Sequence, residues 1–98
     1  MRAFYAALRS ADGQAASARV VPEKRDSSAY SPQAIERFYG RLPEPMQLTR
    51  IAVAGPATYR VSYRYSGGRT RCNGTALVAV TSREGRTLIR SIRALSGC

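Results

Sequence analysis

The side chains able to do chemistry in this chain of 98 residues are two cysteines, six tyrosines, six carboxylates and sixteen basic residues, with no histidine among them. Without imidazole, and with only two thiols, the usual structural zinc sets and the triads built on His are excluded. The carboxylates Asp12, Glu23, Asp26, Glu36, Glu44 and Glu84 are scattered, and none has a partner placed for paired acid-base work. Asp26 with Tyr5 or Tyr30 is the one combination that enolate chemistry could use, because burial can hold an acid protonated beside a phenol. No residue is assigned a catalytic role and no cofactor is implied. Gly67-Gly68 lacks the spacing and the following Lys-Ser/Thr of a phosphate loop and reads as a turn.

Cys72 and Cys98 form the most informative pair. If the last hairpin turns at Glu84-Gly85, paired positions sum to about 169, so Cys72 faces position 97, one residue from Cys98. That spacing permits a disulfide across the open end of the hairpin, which would contribute about 2–4 kcal/mol to a domain this small. A redox-active pair would ordinarily be Cys-x-x-Cys at a helix start, which this is not. A structural disulfide implies an oxidising compartment, periplasmic or extracellular, with the targeting segment lying outside this chain. Asn73-Gly74-Thr75 matches the glycosylation acceptor pattern, but a position inside a strand predicts poor exposure.

Sixteen basic residues against six acidic ones give a formal charge of +10, and all but Lys24 are Arg. This excess can attract a polyanion, and the guanidinium fork suits phosphate or carboxylate. Candidate anion-binding residues are Lys24, Arg25, Arg60, Arg64, Arg69, Arg71, Arg90 and Arg93. Tyr5, Tyr39, Tyr59, Tyr63 and Tyr65, with Tyr30, could instead line a shallow cavity, since a phenol offers an apolar body with a polar tip. In Tyr59–Tyr65 the tyrosines alternate with Arg60, Ser62 and Arg64, so the aromatic and basic residues fall on opposite faces. That separation weakens a nucleic-acid platform, which needs stacking and phosphate contact together.

The elements that must position these residues divide at mid-chain. Phe4, Ala7, Leu8 and Ala11 recur at helical spacing and predict a helix over Arg2–Ala11. Asp12 can cap a second short helix from Gln14 to about Arg19, and Ser31-Pro32 starts a third through Ile35, Phe38, Tyr39 and Leu42. Between them Val21-Pro22 enforces extended backbone, and Glu23–Ser28 reads as a loop. From Leu48 the period changes to two. Strands are expected at Leu48–Val53, Tyr59–Tyr65, Arg71–Thr81 and Thr87–Leu95, with turns at Gly55-Pro56, Ser66-Gly67-Gly68 and Arg83–Gly85. Leu88, Ile89, Ile92 and Leu95 do not alternate strictly, so the last strand contains a bulge or is covered on both faces. The expectation is α+β: one domain over 1–98, with three N-terminal helices packed against a curved four-stranded antiparallel sheet. No segment approaches the roughly 20 apolar residues of a membrane-spanning helix, and no signal-peptide pattern opens the chain, so a soluble domain is expected.

Phe4-Tyr5-Ala6-Ala7-Leu8 with Asp12-Gly13, Val21-Pro22-Glu23-Lys24-Arg25, Phe38-Tyr39-Gly40-Arg41-Leu42 and Tyr59-Arg60-Val61-Ser62-Tyr63 together resemble small bacterial domains of the NTF2-like, or cystatin-like, superfamily. Cys72-Asn73-Gly74 and Leu88–Leu95 leading to Gly97-Cys98 extend the resemblance over nearly the whole chain. The resemblance implies a cone of sheet wrapped on helices. The superfamily includes isomerases, dehydratases and non-catalytic accessory domains, so the fold does not settle the activity. Steroid-isomerase-like members use a helix Tyr, comparable to Tyr5, with carboxylates in the cone, but Leu48–Val80 contains none. Dehydratase-like members use His, which this chain lacks.

The expected function is a non-enzymatic binding or accessory domain of an exported bacterial protein. Its basic surface would meet an anionic protein, envelope polymer or lipid head group. The alternatives are a small-molecule cone pocket with isomerase-like activity and, less favoured, nucleic-acid binding. The oligomeric state stays open, a homodimer included.

Overall fold

The computed structural model describes residues 1–42, 44–67 and 70–96. Three helices, α1 (Arg2–Arg9), α2 (Gly13–Ser17) and α3 (Pro32–Tyr39), precede four strands, β1 (Glu44–Gly55), β2 (Thr58–Gly67), β3 (Thr70–Arg83) and β4 (Arg86–Ser96). The strands form one open antiparallel sheet in the order β1-β2-β3-β4. Each connection is a hairpin between neighbours in sequence, the arrangement that short Gly-containing turns favour.

The helix ends follow local chemistry. Asp12 Oδ1 accepts a hydrogen bond from the Ala15 N–H at 3.0 Å, and Ser31 Oγ accepts one from the Ala34 N–H at 3.2 Å, so both expected N-caps are in place. Helix α1 stops two residues earlier than its apolar spacing predicts. Ala11 turns left-handed, with φ 53°, and the Asp12 N–H reaches back to the Ala7 carbonyl at 2.9 Å. Pro22–Lys24 makes one 3₁₀ turn inside the segment expected as loop. Gly13 is where α2 meets α3: a Cβ built there would lie 2.0 Å from the Pro32 carbonyl oxygen.

The strands run longer than their alternation suggests, and β4 contains two bulges. Paired residue numbers sum to 169 from Arg83↔Arg86 to Val80↔Ile89, and to 171 at Thr75↔Ser96. Arg90 and Leu95 are the residues skipped. The bulge at Arg90 returns Ile92 and Ala94 to the face that carries Ile89, which accounts for the irregular apolar spacing. Glu84 and Gly85 both take positive φ, 53° and 75°, in the tight turn expected there.

One face of the sheet is buried under the helices. Met46, Val61, Ala76, Val78 and Ile89 join Phe4, Leu8, Ala16 and Ile35 in a single apolar cluster. The segment between α2 and α3 also closes part of the β4 edge. Val20 bridges Ile89 in parallel, with the Val21 N–H donating to the Ile89 carbonyl at 2.9 Å and the Ile89 N–H donating to the Arg19 carbonyl at 2.7 Å. These bonds satisfy backbone groups that an edge strand would otherwise expose. Among the described residues no helix is long and apolar enough to cross a membrane.

Candidate functional site: a tyrosine-lined cavity

A cavity of about 280 Å³ opens between the helices and the covered face of the sheet. Its walls draw Tyr5 from α1, Tyr30 from the preceding loop, Phe38 and Tyr39 from α3, Tyr63 and Tyr65 from β2, and Ile92 and Ala94 from β4. The placement follows from strand geometry. Tyr63 and Tyr65 are two residues apart, so both point to the helix side, and their rings stack with centroids 6.3 Å apart and planes 10° apart. Phe38 meets Tyr65 edge-on at 6.0 Å and Tyr39 edge-on at 4.8 Å. Phe38 is 50% exposed and so forms a lip of the cavity.

Gly74 gives the Tyr63 ring its seat. It pairs with Tyr63 across β2 and β3, and a Cβ built on it would fall 2.7 Å from Tyr63 Cζ and Oη. Asn73, its neighbour, is exposed on the opposite face, contrary to the poor exposure expected at that position.

Burial holds the phenols in their protonated form. It raises Tyr5 well above the ordinary tyrosine value, reinforced by the neighbouring Tyr39, Tyr63 and Tyr30. Tyr39 is pushed up to about 12, first by burial and then by Tyr65, Tyr63 and Tyr30. Tyr63 is raised by burial and then by Tyr65. Tyr30 is also raised by burial, opposed by a hydrogen bond from the Ile92 backbone. At neutral pH the wall therefore presents O–H donors and ring faces but no phenolate. Among the described residues lining the cavity there is no carboxylate, imidazole, thiol or cation. Asp26 is exposed and does not line the cavity, so it is not paired with Tyr5 or Tyr30 there.

Of the tyrosines expected at a pocket, Tyr5, Tyr39, Tyr63 and Tyr65 converge, but Tyr59 does not. It pairs with Val53 near the β1–β2 turn, beyond the cavity wall. Phe38, expected among the apolar positions of the third helix, lines the cavity beside Tyr39.

The basic candidates separate in the same way. Arg60 and Arg64 lie on the outer face of the sheet, away from the helices, and the register adds Arg71 and Arg93 to that face. Lys24 and Arg25 are tied to backbone carbonyls: Lys24 Nζ donates to Arg90 O at 2.6 Å, while Arg25 donates to Val20 O at 3.0 Å and Ala18 O at 3.2 Å. They hold the loop before α3. Arg90 is one of the two bulged residues of β4, and Arg69 lies outside the described residues. Arg50 joins the outer face although its strand position gave no sign of it, because a bulge between Leu48 and Arg50 sets its side.

Cys72 is buried at the start of β3, and Cys98 lies outside the described residues. Ser96 stands opposite Thr75, and their hydroxyls lie 2.7 Å apart. No group of three His, Cys, Asp or Glu side chains able to hold a metal occurs among the described residues. Comparison of the chain with protein-family models, with curated proteins and with solved structures found no match.

Proposed function

We propose that this chain is a non-enzymatic binding module whose recognition element is the tyrosine-lined cavity, and that its ligand is a neutral molecule combining a planar apolar body with an acceptor oxygen. The observation that carries this reading is the convergence of five tyrosines and Phe38 on one cavity whose described lining contains no ionised group. Aromatic walls favour a flat apolar body, and protonated phenols donate to an oxygen at its edge. A charged ligand would enter without a counter-charge, which burial penalises. With no carboxylate or imidazole in the wall, no group is placed to take a proton from carbon, so the isomerase-like alternative has less support than binding.

The reading includes an NTF2-like cone as the architecture, for which the α+β layout with helices on one face of a meander is a suitable frame. It also includes a Cys72–Cys98 disulfide and export to the periplasm or extracellular space. The disulfide is supported by the place of Cys72, buried near the start of β3 on the strand that pairs with β4 as far as Ser96. Mass spectrometry of unreduced protein tests it, and two free thiols in oxidised, freshly purified protein would remove it.

Ligand-observed NMR with acetophenone and 2-acetonaphthone, each compared with the matching hydrocarbon lacking the ketone, tests the binding claim. Binding of the ketones that weakens in Tyr39→Phe, with the hydrocarbons much weaker throughout, is the expected result. Equal binding of ketone and hydrocarbon, unchanged by that substitution, would reduce the cavity to an apolar gap in the core.

A further inference from the structure

We infer that the outer face of the sheet is a second, independent binding surface, and that its occupant is a linear phosphate polymer without bases. Five of the exposed arginines on this face lie along one path: Arg50 from β1, Arg60 and Arg64 from β2, Arg71 from β3 and Arg93 from β4. The register fixes their order. Arg93 and Arg60 flank Leu77 across three strands. Arg50 pairs with Ser62, between Arg60 and Arg64, and Arg71 pairs with Ser66, two residues beyond Arg64. From strand spacing and rise, the steps along Arg93, Arg60, Arg50, Arg64 and Arg71 are about 8–10 Å, a zigzag path over all four strands.

The charge on this path is almost unopposed. Glu44, opposite Ser66 at the far corner, is the one carboxylate on the face among the described residues. Glu23 is paired with Arg83, at the far end of β3 from Arg71 and off this path. Ser62, Thr75 and Asn73 stand between the guanidinium groups and offer further donors to oxyanions. Gln47 accepts from Arg64 Nε at 2.9 Å and helps to orient that fork. Forked donors repeated along a line match tetrahedral oxyanions carried on the backbone of a flexible chain.

The same face argues against the other polyanions. The tyrosines of β2 point to the helix side, so the outer face offers nothing for bases to stack on. Phe38 and Val53 lie off this face, and Leu95, at the second β4 bulge, is the one exposed large apolar side chain among the described residues left beside it, little to insert into a bilayer.

Fluorescence anisotropy with end-labelled inorganic polyphosphate tests the inference, using wild type, Arg50→Ala/Arg60→Ala/Arg93→Ala, and a charge-matched control, Arg2→Ala/Arg37→Ala/Arg41→Ala, whose residues lie outside the strands. With a coefficient of about 0.7 per phosphate contact, five contacts give about a 100-fold loss of affinity between 50 and 200 mM salt, and two contacts only about sevenfold. The expected result is this flattening of salt dependence in the outer-face variant alone, with single-stranded DNA of equal phosphate number and phosphatidylglycerol vesicles bound more weakly. Equal loss in the two triple variants would show that only net charge matters and would overturn the inference. So would equal or tighter binding of DNA or vesicles. Tyr39→Phe leaves polyphosphate binding unchanged, so this surface and the cavity can fail separately.

Discussion

Replacing Gly74 with Ala isolates the contact that seats Tyr63 in the cavity wall. The new methyl would lie 2.7 Å from Tyr63 Cζ and Oη and 2.8 Å from Cε2, so the ring must leave its seat. Overpacking of this kind costs about 1–3 kcal/mol, toward the lower end where the obstacle is the far end of one side chain. Restricting the unfolded chain at the former glycine returns about 0.4–1 kcal/mol. The net cost is about 1 kcal/mol, a fall of about 4–8 °C in Tm for a domain of this size. Urea unfolding of wild type, Gly74→Ala, Tyr63→Ala and the double variant closes a cycle. In the Tyr63→Ala background the methyl meets no ring, so Gly74→Ala should become neutral or stabilising there. The Gly74→Ala protein should also bind 2-acetonaphthone more weakly, because the displaced ring enters or abandons the cavity wall. An unchanged cost in the Tyr63→Ala background would refute the reasoning, since the penalty would then arise from the strand backbone.

Ala11→Gly should stabilise the fold by about 0.5–1 kcal/mol in urea unfolding, because the left-handed conformation after α1 is strained for Ala and free for Gly. Arg25→Ala removes two donors to backbone carbonyls and should cost about 1–2 kcal/mol, whereas a surface role alone would leave stability unchanged. The cavity phenols make stability depend on pH at the alkaline end. Their folded values lie above the unfolded value of about 10, so their contribution is complete below that pH and is lost between about pH 10 and Tyr39's value of about 12. Denaturant midpoints measured from pH 8 to 11 should hold steady and then fall, and Tyr39→Phe should make the fall shallower. Cys98→Ser should lower stability by about 2–4 kcal/mol under oxidising conditions, and adding reductant should then have no further effect.

The helix starts were legible in the sequence because capping is local: Ser31-Pro32 and Asp12 carry their own partners three residues on. The β2 alternation was equally legible, and it placed Tyr63 and Tyr65 on one side and Arg60 and Arg64 on the other. Bulges were harder to locate. One between Leu48 and Arg50 decides that Arg50 joins the outer arginines, and those at Arg90 and Leu95 move the β4 pairing by two residues. A bulge is fixed by pairing with a distant strand, so the broken alternation of β4 announced one without giving its position, and β1 carried no sign of its own. The bonding of Lys24 and Arg25 was out of reach for a related reason. Charge and spacing cannot reveal that a cation's partners are main-chain carbonyls, Arg90 O for Lys24 and Val20 O and Ala18 O for Arg25. Tyr59 shares the strand face of Tyr63, and only the position of the helices along the sheet separates the two.

That separation gives the most direct measurement of the cavity's role. Protein with isotope-labelled tyrosine rings, titrated with 2-acetonaphthone and followed by NMR, contains its own control. A binding cavity predicts saturable shifts at Tyr39, Tyr63 and Tyr65 with smaller ones at Tyr5 and Tyr30, while Tyr59, on the same face of β2 but beyond the wall, stays in place. Shifts at Tyr59 as large as those at Tyr63, or no saturable shift at any ring, would contradict it.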